Sequence, residues 1–253
     1  MPGQGRLLRK TGTGIMPLDA PLYAKPPIYY EGAESLGFTY ETDAEAARDM
    51  LPDGLEVTAP AIATVLFLTY PFSTLGPYEE AILGISCLWQ GKPRFYIPHI
   101  VVNSDVPQAA GREIWGYPKK FACIMLGEEG DLRWGRMERP EGNPIVSGVM
   151  RPEKPVAAVP PGPPVPGLSL RVIPSPEEGA PPSLIELIET TTRSTTLEAW
   201  EGTGSLQFHG DSDIDPWSRL AVKRLISAHY RKYDMVLPGG KVIKTYHGRK
   251  ASR

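Results

Sequence analysis

Residues 111–121 read GREIWGYPKKF, and the adjacent Lys119 and Lys120 are the side chains best placed to do chemistry. An exposed ammonium group is only a solubilising charge. An amine held among apolar residues is different, because desolvation favours its neutral form. A neutral amine is a nucleophile towards carbonyl carbon, and the iminium it forms is an electron sink. Lysine is almost never fully buried, so composition alone makes the pair surface charges. The company of Ile114, Trp115, Tyr117 and Phe121 argues for the reactive amine.

Local geometry supports that reading. Gly116 can end a helix, and Pro118 pushes Tyr117 into an extended conformation. A strand entered here sends Lys119 and Lys120 to opposite faces, one inward and one outward. For the inward lysine, burial outweighs the neighbouring charge. Two ammonium groups about 6 Å apart at an effective dielectric near 20 repel by about 3 kcal/mol, whereas full burial can disfavour the charged form by up to about 7 kcal/mol.

The elements that must position this amine read mainly as strands. The chain has 253 residues, 41% hydrophobic, with 28 Pro and 26 Gly, a composition that favours many short strands and turns over a helical bundle. Strands are expected at GFTYET, AIATVLFLTY, EAILGISCLW, RFYIPHIVV, FACIMLG, LRWGRME, IVSGVMR, LSLRVIP, STTLEAWEG, GSLQF and KVIKTYH. AIATVLFLTY lacks clean alternation and suits burial on both faces. Three helices are expected. TDAEAARDML is capped at Thr42 or Asp43, a second runs from Ser104 or Asp105 to Trp115, and DPWSRLAVKRLISAHYRK carries a stripe of Trp217, Ala221, Leu225 and Ala228. One domain over 1–253 is expected, with residues 1–25 as an N-terminal arm. Residues 152–167, the most proline-dense stretch, form a surface connection that cannot be a central strand or helix interior.

Bulk properties exclude several classes. A net charge of −2 provides no field for nucleic acid or an acidic membrane. Cys87 and Cys123 cannot build a disulfide scaffold, and with four His they show no zinc spacing, so neither metal nor cofactor is expected. No apolar run approaches the roughly 20 residues that span a bilayer, and MPGQGRLLRKTGTG lacks a signal peptide's apolar core. The expectation is a cytoplasmic protein acting on a small molecule, without nucleic-acid or membrane partners.

GREIWGYPKK resembles the signature of the acetoacetate decarboxylase superfamily. YETDAEAARDMLPDGLEV, LGPYEEAIL, LIELIETTTRSTTLEAWEGTGSLQF and MVLPGGKVIKTY resemble further family segments in the right order, over roughly residues 30 to 246. The resemblance implies a cone-like antiparallel β-barrel with a few peripheral helices, assembled as a homo-oligomer of four or more copies. By position, Lys119 matches the Schiff-base lysine and Lys120 its partner. Glu80 matches a pocket carboxylate and Tyr246 a C-terminal tyrosine near the pocket. Tyr78 and Trp115 are implied substrate contacts, while Arg112 and Glu113 match structural positions. Two departures stand out: Ala33 falls where decarboxylases carry an arginine, and Val65 where they carry a glutamate.

The resemblance implies a lysine iminium with three outcomes. A β-keto acid loses carbon dioxide, a 2-oxo acid such as pyruvate condenses with an aldehyde and loses water, or an unsaturated 2-oxo acid is hydrated. With Ala33 and Val65 replacing charged groups, the sequence favours the aldolase-dehydratase or hydratase branch acting on small 2-oxo acids. Glu80 and Tyr246 are its candidate proton shuttles, with Tyr78 a further candidate. Decarboxylation is the alternative, and a non-catalytic small-molecule barrel a further one.

Overall fold

The structure, a computed structural model, describes residues 3–5, 7, 12–156, 164–210 and 212–247. The strands in chain order are β1 (Ile28–Glu41), β2 (Leu55–Val57), β3 (Ile62–Tyr70), β4 (Phe72–Ser73), β5 (Tyr78–Trp89), β6 (Lys92–Val102), β7 (Lys119–Phe121), β8 (Cys123–Glu129), β9 (Leu132–Glu138), β10 (Pro144–Pro155), β11 (Gly167–Ile173), β12 (Leu184–Thr190), β13 (Arg193–Phe208), β14 (Arg224–Leu237) and β15 (Lys241–His247). They join one sheet in the order β15-β12-β11-β6-β5-β3-β1-β14-β13-β10-β9-β8, with β2 on β5, β4 on β1 and β7 on β6. Pairing is antiparallel except where β6 meets β11 and β7. The sheet curls back on itself, so that β8, at one end of the order, packs against β3 and β5 in its middle. This is the strand-rich, helix-poor architecture expected from the composition, and its curl is the barrel-like form that the resemblance implies.

The two faces of β3 show why its sequence lacks alternation. Ala63, Val65 and Phe67 enter a core with Phe38, Leu83, Met137 and Met150. Leu66 and Leu68 pack on the opposite face against a cluster that contains Tyr30, Tyr70, Tyr78 and Trp115. Both faces are covered, so both carry apolar residues.

Helices are few. α1 (Ala44–Met50) is capped by Asp43, whose side chain accepts from the backbone N–H of Glu45 and Ala46. α2 (Asp105–Ala110) continues into a π-helical turn over Gly111–Trp115, and Gly116 closes it at φ 75°. The helix expected at 215–232 does not form. Only Trp217–Arg219 make a 3-10 turn, and the chain then enters β14. Trp217 and Ala228 of the expected stripe are buried, but Ala221 is exposed, and β14 lies between β1 and β13 and pairs with both. Two strand ladders override helix propensity there. STTLEAWEG and GSLQF, expected as two strands, are one strand, β13.

The proline-rich segment is partly strand. Residues 152–155 extend β10, paired only to β13, because β9 leaves the ladder at Met150. Proline is tolerated on such a free edge. Residues 157–163 of the expected surface connection lie outside the described residues. Residues 12–25 have no regular structure, yet Ile15 and Tyr23 are buried and the Tyr23 hydroxyl donates to Glu113.

Candidate active site

The segment GREIWGYPKK folds as a device for delivering one amine. The π-turn ends at Gly116, where a left-handed φ and the close-packed backbone of Arg171 leave no room for a side chain. The chain extends through Tyr117 and Pro118 into β7, which lies parallel to β6 with Lys119 opposite Ile100. Alternation on β7 separates the lysines. Lys119 is 5% exposed and turned inward. Lys120 points the other way, its ammonium donating to the Ile214 carbonyl and to Asp215 at 3.2 Å. Asp215 is buried and also meets Arg139 at 3.5 Å.

Lys120 is therefore an anchor between β7 and the loop before β14. Lys120→Met is expected to destabilise the fold by about 1–3 kcal/mol, since among the described residues Asp215 keeps only Arg139 as a charged partner. Turnover at Lys119 should change less than tenfold. Thermal unfolding and steady-state rates on the same preparation check both.

Lys119 ends in an ion pair with Glu80 of β5, Nζ to Oε2 2.7 Å, both residues buried. The pair is close but poorly aligned, and Glu80 Oε2 has no hydrogen-bond donor directed at it. The other oxygen, Oε1, accepts from the Tyr70 hydroxyl at 3.2 Å. Tyr78 lies beneath the amine, with Nζ 5.4 Å from its ring centroid, and its hydroxyl meets that of Tyr30 at 3.1 Å. Tyr117 and Tyr233 complete the aromatic wall. Burial, followed by the charge of Glu80, holds the phenols of Tyr70 and Tyr78 well above the ordinary range. Burial likewise pushes Tyr117 and Tyr233 up to about 12. At neutral pH these tyrosines keep their protons and can only donate or share them.

The pair opens into a cavity of about 420 Å³. Leu66, Leu68, Ile82, Ile97, Ile100 and Met235 supply most of its apolar wall. Gly111 sets how the amine enters: a Cβ there would stand 2.6 Å from Lys119 Cδ and 2.8 Å from Cε. The lysine stem lies directly on the backbone of the π-turn, and Arg112 donates to the Lys119 carbonyl at 3.2 Å. Gly111→Ala is expected to fold and to displace the amine, lowering kcat by roughly 10–100-fold, since a shift near 1 Å at a reacting group costs about that much. A matched unfolding midpoint and a reduced kcat would establish this positioning role.

Not every sequence-derived site residue is brought here. Tyr246 on β15 lies outside the cavity. Its hydroxyl donates to the Asp53 carbonyl at 2.6 Å, and its ring packs near Tyr96, Leu168 and Leu187. Trp115 stands behind the wall: its ring stacks on Tyr117 at 6.2 Å and its Nε1 donates to the Pro238 carbonyl at 2.9 Å. Val65 faces the opposite core, so its side chain has no bearing on the cavity. Ala33 is fully buried in the tyrosine-bearing cluster without lining the cavity. Arg112 and Glu113 are structural, through hydrogen bonds to Lys119 and from Tyr23. Tyr70, Tyr30 and Tyr233 were not singled out by the sequence. The one local signal was Tyr70 continuing the Leu66, Leu68 alternation.

The sequence model described as acetoacetate decarboxylase (ADC) matches residues 15–247. The chain belongs to the acetoacetate decarboxylase family. Among its relatives in that family, decarboxylase DEC1 of Cochliobolus heterostrophus is 30% identical over 243 residues, covering 90% of this chain and 93% of that protein. An acetoacetate decarboxylase of Acidiphilium cryptum is 30% identical, covering 91% and 94%. The crystal structure of acetoacetate decarboxylase from Legionella pneumophila superposes with a TM-score of 0.85 at 27% identity, covering 96% of this chain and 99% of that one. The enduracididine biosynthesis enzyme MppR, complexed with the condensation product of pyruvate and imidazole 4-carboxaldehyde, shares the fold with a TM-score of 0.79 at 24% identity.

Proposed function

We propose that this protein is a Schiff-base lyase that decarboxylates a β-keto acid through an iminium on Lys119. The observation that carries the proposal is the buried Lys119–Glu80 pair at 2.7 Å, opening into an apolar, tyrosine-walled cavity.

The chemistry runs on this chain's own groups. Proton transfer within the pair converts ammonium and carboxylate into neutral amine and neutral acid. The amine adds to the ketone carbon of the substrate, and water leaves as the iminium forms. The bond to the carboxylate breaks, its electron pair flows into the iminium, and carbon dioxide departs from an enamine. Glu80, having given its first proton to the departing water, takes up another from solvent and delivers it to the enamine carbon, with Tyr70 bonded to its other oxygen. Water then adds to the product iminium and releases the ketone and the free lysine.

The cavity's charge census favours decarboxylation over aldol condensation or hydration. A 2-oxo acid keeps its carboxylate throughout and needs a cation beside it. Besides Lys119, the cation among the described lining residues is Arg94, which Glu189 already engages at 2.7 Å. A β-keto acid needs no such partner: its carboxylate, set in apolar surroundings beside Glu80, is poorly solvated and is lost in the reaction. Val65, one of the two residues that favoured the 2-oxo acid branch in the sequence, turns its side chain away from the cavity.

A homo-oligomer of four or more copies and a cytoplasmic location belong to the same proposal. Among the described residues no helix is long and apolar enough to cross a membrane. The reaction is tested by measuring carbon dioxide release from 3-oxo acids beside consumption of pyruvate with aldehydes. Release from 3-oxo acids is expected. Pyruvate–aldehyde condensation with no carbon dioxide from any 3-oxo acid would reverse the assignment.

A further inference from the structure

The cavity is much larger and longer than a four-carbon keto acid requires. On β5 its wall runs from Glu80 past Ile82 to Ser86, and on β6 from Ile100 past Ile97 to Arg94. Six residue steps at about 3.3 Å each separate the two ends of this lining by about 20 Å. The two ends differ in chemistry. Lys119, Glu80 and the tyrosines form the reacting end, while Arg94, paired with Glu189, lines the other end. Between them Leu66, Ile82, Ile97 and Met235 make an apolar stretch, and the other lining side chains there, Ser86, Thr190 and Thr192 among them, carry no charge. A register irregularity between Leu83 and Ile85 against β6 lets both Ile100 and Ile97 face inward.

We infer that the substrate is a 3-oxo acid carrying a lipophilic chain of several carbons beyond the ketone, lying along β5 and β6 from Lys119 towards Arg94. This rests on the β-keto acid reading for its head group and extends it to the tail. Neutralisation of Arg94 by Glu189 means that the tail ends in an apolar or neutral polar group, not in a second carboxylate.

The tail can be tested without turnover. Methyl ketones from propan-2-one to undecan-2-one share one carbonyl head, so differences in their dissociation constants report the tail alone. Each added methylene is expected to tighten binding about fourfold through the middle of the series, levelling off once the chain fills the cavity. Affinity that stays flat or weakens beyond butan-2-one would overturn the inference. Ile97→Trp, halfway along the wall, should stop the gain early. Met235→Trp serves the same purpose if the first variant does not fold. Full gain retained in a folded variant puts the tail elsewhere and also overturns it. Carbon dioxide release from the matching 3-oxo acids is read separately. A rising ketone series without release sinks the reaction and leaves the tail inference standing.

Discussion

Lys119→Ala is expected to lower turnover by roughly 10⁴-fold or more, the scale on which losing a covalent nucleophile acts. The loss should fall on kcat rather than KM, because the apolar wall and the tyrosines that would hold the substrate remain. A second effect accompanies it. Glu80, 4% exposed, would retain only the Tyr70 hydroxyl. A buried carboxylate stripped of its partner costs about 3–5 kcal/mol unless it takes up a proton. The single variant should therefore melt well below the parent. The double variant Lys119→Met with Glu80→Gln should recover most of that stability while staying inactive. Inactivity with restored stability separates chemistry from folding.

The second large effect belongs to Glu80→Gln. The amide keeps the shape of the carboxylate and can still accept from Tyr70, so the cavity should persist. What disappears is the group that takes the lysine proton across 2.7 Å and later delivers one to carbon. A fall in kcat of about 10²–10⁴-fold is expected, the range for removing a general acid–base. Glu80→Asp should restore part of the rate. A Glu80→Gln variant with parental kcat would remove Glu80 from the mechanism and leave it a structural counter-ion.

Much of this site was legible locally, and the limits have physical causes. In GREIWGYPKK the helix-ending Gly116, the extended Tyr117–Pro118 and the period of two separated Lys119 from Lys120 before any fold was known. Both faces of β3 were foreshadowed by its unbroken apolar run. Pairing Lys119 with Glu80 needed two ladders, β7 on β6 and β6 on β5, and only resemblance to a family supplied that register. The same resemblance brought Tyr246 to the wrong place. β15 is held by β12, and its tyrosine turns to the Asp53 carbonyl instead of the amine. The helix read at 215–232 failed for a related reason. Its stripe is a local signal, whereas β14 is fixed by partners from opposite ends of the chain.

The central claim is that Lys119 forms an imine with the substrate ketone. Borohydride reduction in the presence of a methyl ketone or 3-oxo acid, followed by peptide mass mapping, tests it most directly. The account predicts one reduced adduct, on Lys119 within the peptide that carries both lysines, and none in Lys119→Ala. An adduct on Lys120, or one that persists in Lys119→Ala, would contradict it.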